Sequence, residues 1–206
     1  MHRRMTEPNF RQEQQDGLRL PHVRALNKFV DDLQDRDGRG WLPYIAPLYG
    51  GVQAKMLNIL RDPGRMTNSA SGGSGYLCVE NDDDSAERLA DLLDEAGIAF
   101  DRTVPWNAYP WYINRKPLAA EIDAGVDPLL GLIELLPRLR VVMLNGGEAQ
   151  DVWKRLKKRP GIRPDVRVIP TYHTGKQAFI GSPEVRAERM AHLRAAFAQA
   201  AAELGR

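Results

Sequence analysis

A single cysteine, Cys78, stands in a chain of 206 residues. One thiol excludes an internal disulfide, a four-cysteine zinc site and a cysteine-held iron–sulfur cluster. Long apolar stretches are missing as well: none approaches the roughly 18 residues of a membrane-spanning helix. The polar N-terminus has no apolar core of the kind a secretory leader carries. The expectation is a soluble, cytoplasmic protein. An excess of either sign of charge is missing too, and the formal net charge of +2 neither demands a polyanionic partner nor opposes one. No Gly-x-Ser-x-Gly elbow occurs, because Gly72-Gly73-Ser74-Gly75 has the wrong spacing and context for a serine hydrolase. The same glycine cluster precedes no Lys-Ser/Thr pair, which a phosphate loop requires.

What the chain does contain is a succession of strand and helix patterns. At this length one domain with a sizeable core is expected, over residues 21–206, preceded by a polar, aperiodic and mobile arm over residues 1–20. Pro21 opens a helical pattern with Val23, Leu26, Val30 and Leu33 on one face. Met56, Leu57, Ile59 and Leu60 form a short apolar run typical of a buried parallel strand, halted by Arg61-Asp62-Pro63-Gly64. The segment from Arg65 to Gly75 reads as a flexible loop able to close over something. Asp84 and Glu87 bracket a capping box for a helix through Leu89, Leu92 and Leu93, with Gly97 as its C-cap. The acidic run from Asp82 to Asp84 reads as a solvated helix start rather than a metal site.

Ala99 to Val104 is a second predicted strand, followed by Pro105-Trp106-Asn107. Arg140 to Leu144 and Val166 to Pro170 are the third and fourth, separated by a helix through Val152, Trp153 and Leu156. Pro183 opens a last helix. Alternating strands and helices make the fold class α/β, a three-layer α/β/α arrangement with a short, mainly parallel four-stranded sheet. In such a sheet Asp62, Asn107, Asn145 and His173 all fall at the C-terminal ends of strands, the edge at which open α/β sheets place their chemistry. Asp62 alone would only shape a turn, and one His with one Asp makes a poor metal site. Lys154, Arg155, Lys157, Lys158 and Arg159 read first as a solvated face.

Taken together, these segments resemble the uracil-DNA glycosylase superfamily over about residues 54–195. The first motif of that superfamily, typically GQDPY, GEAPG or GINPG, is matched by Leu60-Arg61-Asp62-Pro63-Gly64. Trp106-Asn107-Ala108 is similar to the strand end that carries the uracil-recognising Asn, and His173-Thr174-Gly175-Lys176 to the final motif that begins with His. The resemblance implies a glycosylase-like fold, uracil-containing DNA as partner, a monomer, and no metal or other cofactor. It implies catalytic roles for Asp62 and His173, and base binding by Asn107, Arg61 and Gly64. Either Tyr76 or Cys78, in Gly75-Tyr76-Leu77-Cys78, would take the stacking position. Lys176, Gln177, Phe179 and Arg186 would contact DNA, with Gln177 or Phe179 as the wedge.

The chemistry suits those residue types. Breaking an N-glycosidic bond leaves a cationic sugar and an anionic base. A fixed carboxylate stabilises the first and orients water, while a hydrogen-bond donor stabilises the second. Gly64 replaces the Tyr that blocks 5-substituted bases in the uracil-restricted branch, so deaminated purines become conceivable substrates. Two other readings stay open: a damaged-DNA binder without catalysis, and a hydrolase of small nucleosides or nucleotides.

Overall fold

The computed structural model describes residues 2–160 and 165–205. The first expectation to fall is the N-terminal arm. Residues Pro8–Asp16 form a helix, α1, and Met5 and Phe10 are buried in the core. Periodicity is lacking there because these two and the half-buried Leu18 are widely spaced, and much of the remaining attachment is polar. The Met5 N–H donates to the Glu80 carbonyl at 2.9 Å, Gln14 accepts from the Leu48 N–H at 3.0 Å, and Arg3 pairs with Asp82, Asp84 and Glu87.

Helix α2, Pro21–Leu33, buries Val23, Leu26, Val30 and Leu33, the stripe expected from its spacing. A two-residue strand β1, Tyr44–Ile45, follows. The central strand β2 is Met56–Leu60, and β3, Tyr76–Leu77, lies parallel to β1. Between β2 and β3 the Arg65 to Gly75 segment is folded rather than loose. Thr67 Oγ1 donates to the Gly64 carbonyl at 2.6 Å, and the N–H groups of Gly73, Ser74 and Gly75 all find carbonyl partners within the segment. A Cβ on Gly73 would lie 2.6 Å from the Met66 carbonyl oxygen, so only glycine fits that turn.

Helix α3 spans Asp84–Glu95. Its cap is Asp83 instead of Asp84: the Asp83 carboxylate accepts from the N–H groups of Ser85 and Ala86. Strand β4, Thr103–Asn107, starts later than its apolar pattern suggested and runs through Pro105. A proline is tolerated there because β4 is an edge strand, with no ladder bond needed on its outer side. Helices α4, Ala119–Ala124, and α5, Val126–Glu134, lead to β5, Val141–Asn145. After α6, Gly147–Leu156, comes β6, Arg167–Thr171, the other edge, which likewise accommodates Pro170. Helix α7, Pro183–Gly205, closes the chain.

The main sheet has the order β4-β2-β5-β6 with every pair parallel. Helices cover both of its faces, which is why the residues of β2, β4 and β5 are almost all buried on either side. Parallel register brings Leu60 opposite Asn107, and Asn145 opposite Thr171. All four strands therefore end along one edge. The chain leaves β2 toward one side of the sheet and leaves β5 toward the other, which opens a crevice between them.

Candidate active site

That crevice is a cleft of about 730 Å³, lined by Asp62, Asn107 and His173 among others. Asp62 follows β2 in the tight Asp-Pro-Gly turn, and its side chain is only 3% exposed. Its carboxylate pairs with the Nε–H of the neighbouring Arg61. Burial, the largest influence, raises the Asp62 pKa above the ordinary carboxylate value; Arg61 opposes the rise and Glu148 adds to it.

His173 follows β6. Its Nδ1 accepts the backbone N–H of Gly175 at 2.8 Å. A neutral ring in that setting carries its proton on Nε2. Burial, then the charge of Arg61, pushes the His173 pKa down to about 4, so the ring is neutral at pH 7. Two glycines fit the ring: a Cβ on Gly146 would stand 3.1 Å from His173 Cβ, and one on Gly175 would stand 2.9 Å from Nδ1.

The loop carrying His173 is pinned to α3. Ser85 and Thr174 share a hydroxyl–hydroxyl bond at 2.8 Å, Arg88 donates to the Thr174 carbonyl, and Lys176 pairs with Asp84 at 2.7 Å.

Asn107 ends β4, is buried against the cleft, and has an Nδ2 without a partner among the described residues. Asn145 departs from the expected convergence. It is fully buried, does not line the cleft, and donates to the Ile59 carbonyl at 3.2 Å, tying β5 to β2.

Gly64 lines the cleft, and a Cβ built there meets nothing within 4 Å. Cys78 also lines it, with its thiol pKa driven up by burial. Tyr76 does not. Its ring is buried instead, and the groups that act on its hydroxyl are Tyr44, Arg11 and Asp16 rather than residues of the cleft. The stacking assignment to Tyr76 is therefore corrected.

Phe179 is also corrected as a wedge: it is half-buried, off the cleft, and lies beneath the Arg88 guanidinium at 4.4 Å. Lys176 and Gln177 are exposed and line the cleft. Arg186 stands away from the cleft, its Nε donating to the Gly181 carbonyl at 3.1 Å. In the basic run, Lys154 pairs with Asp151, Arg155 with Asp123 and Arg159 with Asp127.

Among the lining residues that were not anticipated are Tyr49, Asn81, Lys116, Glu148 and Gln150. Glu148 had a signal, being two residues beyond the Gly146 that ends the turn after β5. It pairs across the cleft with Lys116 at 3.2 Å. Asn81 was hidden at the head of an acidic run.

The arrangement is a parallel α/β fold with a carboxylate, an amide and a neutral imidazole gathered at one sheet edge. The family model described as the uracil DNA glycosylase superfamily matches residues 47–194. The chain belongs to that superfamily. No curated protein matches it.

Proposed function

We propose that this chain is a monofunctional DNA glycosylase that hydrolyses the N-glycosidic bond of uracil in DNA. The observation that carries the reading is the tautomer of His173. A neutral ring with its free proton on Nε2, in one cleft with Asp62 and Asn107, supplies a donor for a departing base anion. Asp62 stabilises the cationic sugar and directs water to it. Arg61, beside Asp62 and close enough to His173 to depress its pKa, contributes positive charge to the cleft. Asn107 offers one donor and one acceptor to the imide edge of uracil.

The nucleotide enters by extrusion from the stack, at a cost of a few kcal/mol that is least for single strands and mismatches. Lys176 and Gln177, exposed at the cleft, are the DNA contacts this geometry favours. A Schiff-base lysine is usually desolvated. Lys116 and Lys176 are instead exposed and paired with Glu148 and Asp84, which supports hydrolysis without strand cleavage.

The test is base release from oligonucleotides with one uracil, single-stranded or opposite G or A, with Asp62→Asn as control. Release that the control lowers by about 10²–10⁴-fold supports the assignment. Tight binding without release would identify a damage-recognition protein. Release from free nucleosides alone, indifferent to salt, would identify a small-molecule hydrolase.

A further inference from the structure

Asn81, in the segment between β3 and α3, has no part in the scheme above. It is 2% exposed and lines the cleft. Its Nδ2 donates to the Tyr76 carbonyl at 2.9 Å, while its Oδ1 has no partner among the described residues. An asparagine amide can turn by 180° and exchange donor for acceptor, so an amide with free orientation reads an N–H or a lone pair equally well. Asn107 is in that position, because its Nδ2 is unpartnered. Asn81 is not. Turning it would give up the bond to Tyr76 and set two carbonyl oxygens against each other, leaving that carbonyl, among the described residues, the Ser74 hydroxyl at 3.3 Å.

We propose that Asn81 is a specificity-determining residue whose amide oxygen, held as an acceptor, selects bases with a ring N–H on the recognised edge. Uracil carries that N–H at N3, as lactam bases do in general. Cytosine presents a lone pair at the same place and meets the fixed oxygen unfavourably. Asn107, free to turn its amide, gives its donor to a carbonyl beside that N–H, and Asn81, which takes the N–H, decides which base is accepted. The inference rests on the base-excising reading and names the residue that gives it direction.

The test compares the full-length wild type with Asn81→Leu. Release is measured from oligonucleotides carrying uracil or cytosine, and free uracil and cytosine are titrated into both proteins by NMR. Expected is a wild type that prefers uracil, with the Asn81 side-chain amide resonances shifting on uracil binding. Asn81→Leu should lose about tenfold or more in uracil kcat/KM and in the uracil-over-cytosine binding ratio. A folded variant that keeps the ratio overturns the inference. Should the variant not fold, the wild-type spectrum decides: Asn81 resonances unmoved by bound uracil overturn it. A wild type that releases nothing yet binds uracil over cytosine through Asn81 defeats the enzymatic reading and supports this one. A wild type that neither releases nor binds either base defeats both.

Discussion

The backbone N–H of Gly175 donates to Nδ1 of His173 at 2.8 Å, and this bond leaves the ring proton on Nε2. The neutral state has a measurable consequence for folding. His173 has a pKa of about 4 in the folded chain, lowered by burial and then by Arg61, against 6.5 when unperturbed. Between those values the unfolded chain binds a proton that the folded chain refuses. The contribution is fully present above pH 6.5 and is lost as pH falls toward 4. At pH 4.5 the loss amounts to about 2–3 kcal/mol. Denaturant titrations of wild type and His173→Asn at pH 7 and pH 4.5 should show that extra loss in the wild type alone. An equal loss in both would mean that the folded ring takes up its proton as freely as an exposed one.

Asp62 sits between two opposing charges, which gives a pair of variants with opposite signs. Arg61 lowers its pKa and Glu148 raises it, on top of the dominant effect of burial. Arg61→Gln should therefore move the acid limb of the kcat/KM profile for base release to higher pH. Glu148→Gln should move the same limb to lower pH. Shifts in the same direction in both variants would show that the limb belongs to another group.

Gly64 leaves open the side of the cleft where a Cβ would meet nothing within 4 Å. A larger side chain can be placed there without disturbing the turn, whose φ at this residue is −71° and suits any L-residue. Gly64→Tyr should keep most uracil release while lowering release of 5-substituted uracils by about 10–100-fold, the usual range for steric discrimination in a pocket. Parallel single-turnover assays on uracil and a 5-substituted analogue give the ratio. Equal losses on both substrates would place Gly64 away from the base.

Strand-end chemistry was legible because it depends on topology. Met56 to Leu60 reads as a buried strand from its apolar run alone, and the residues after parallel strands must share an edge, which puts Asp62, Asn107 and His173 in one cleft. Side-chain direction within that edge was less legible. Tyr76 and Cys78 both stood as candidates, and nothing local in Gly75-Tyr76-Leu77-Cys78 tells that Cys78 lines the cleft and Tyr76 does not. Pro105 hid the true extent of β4, since a strand can run through proline only at a sheet edge, and edge position is a property of the whole sheet. Asn81 carries no local signal: its neighbours, Glu80 and Asp82 to Asp84, look like a helix start, and only the Tyr76 carbonyl orients its amide. The last helix and α2, by contrast, declared themselves through proline at the first turn.

The segment before α2 was the least legible, and it bears on the site. Met5 bonds the Glu80 carbonyl, and Arg3 spans Asp82, Asp84 and Glu87, so residues 3–5 brace the wall that contains Asn81 and starts α3. Phe10 is its buried anchor, with the Arg4 guanidinium 4.0 Å above the ring. Emptying that anchor should cost about 3 kcal/mol, as Phe→Ala does in a packed core. Arg3→Ala should cost less, and its effect should fade at high salt, because the charges it joins are partly exposed to solvent. Thermal melts of wild type, Phe10→Ala and Arg3→Ala in low and high salt separate the two contributions. If residues 3–16 were a loose arm, neither substitution would move the melting temperature. A salt-independent drop in Phe10→Ala, accompanied by weaker uracil release below the melting transition, would instead show that the segment is part of the fold and holds one wall of the cleft in place.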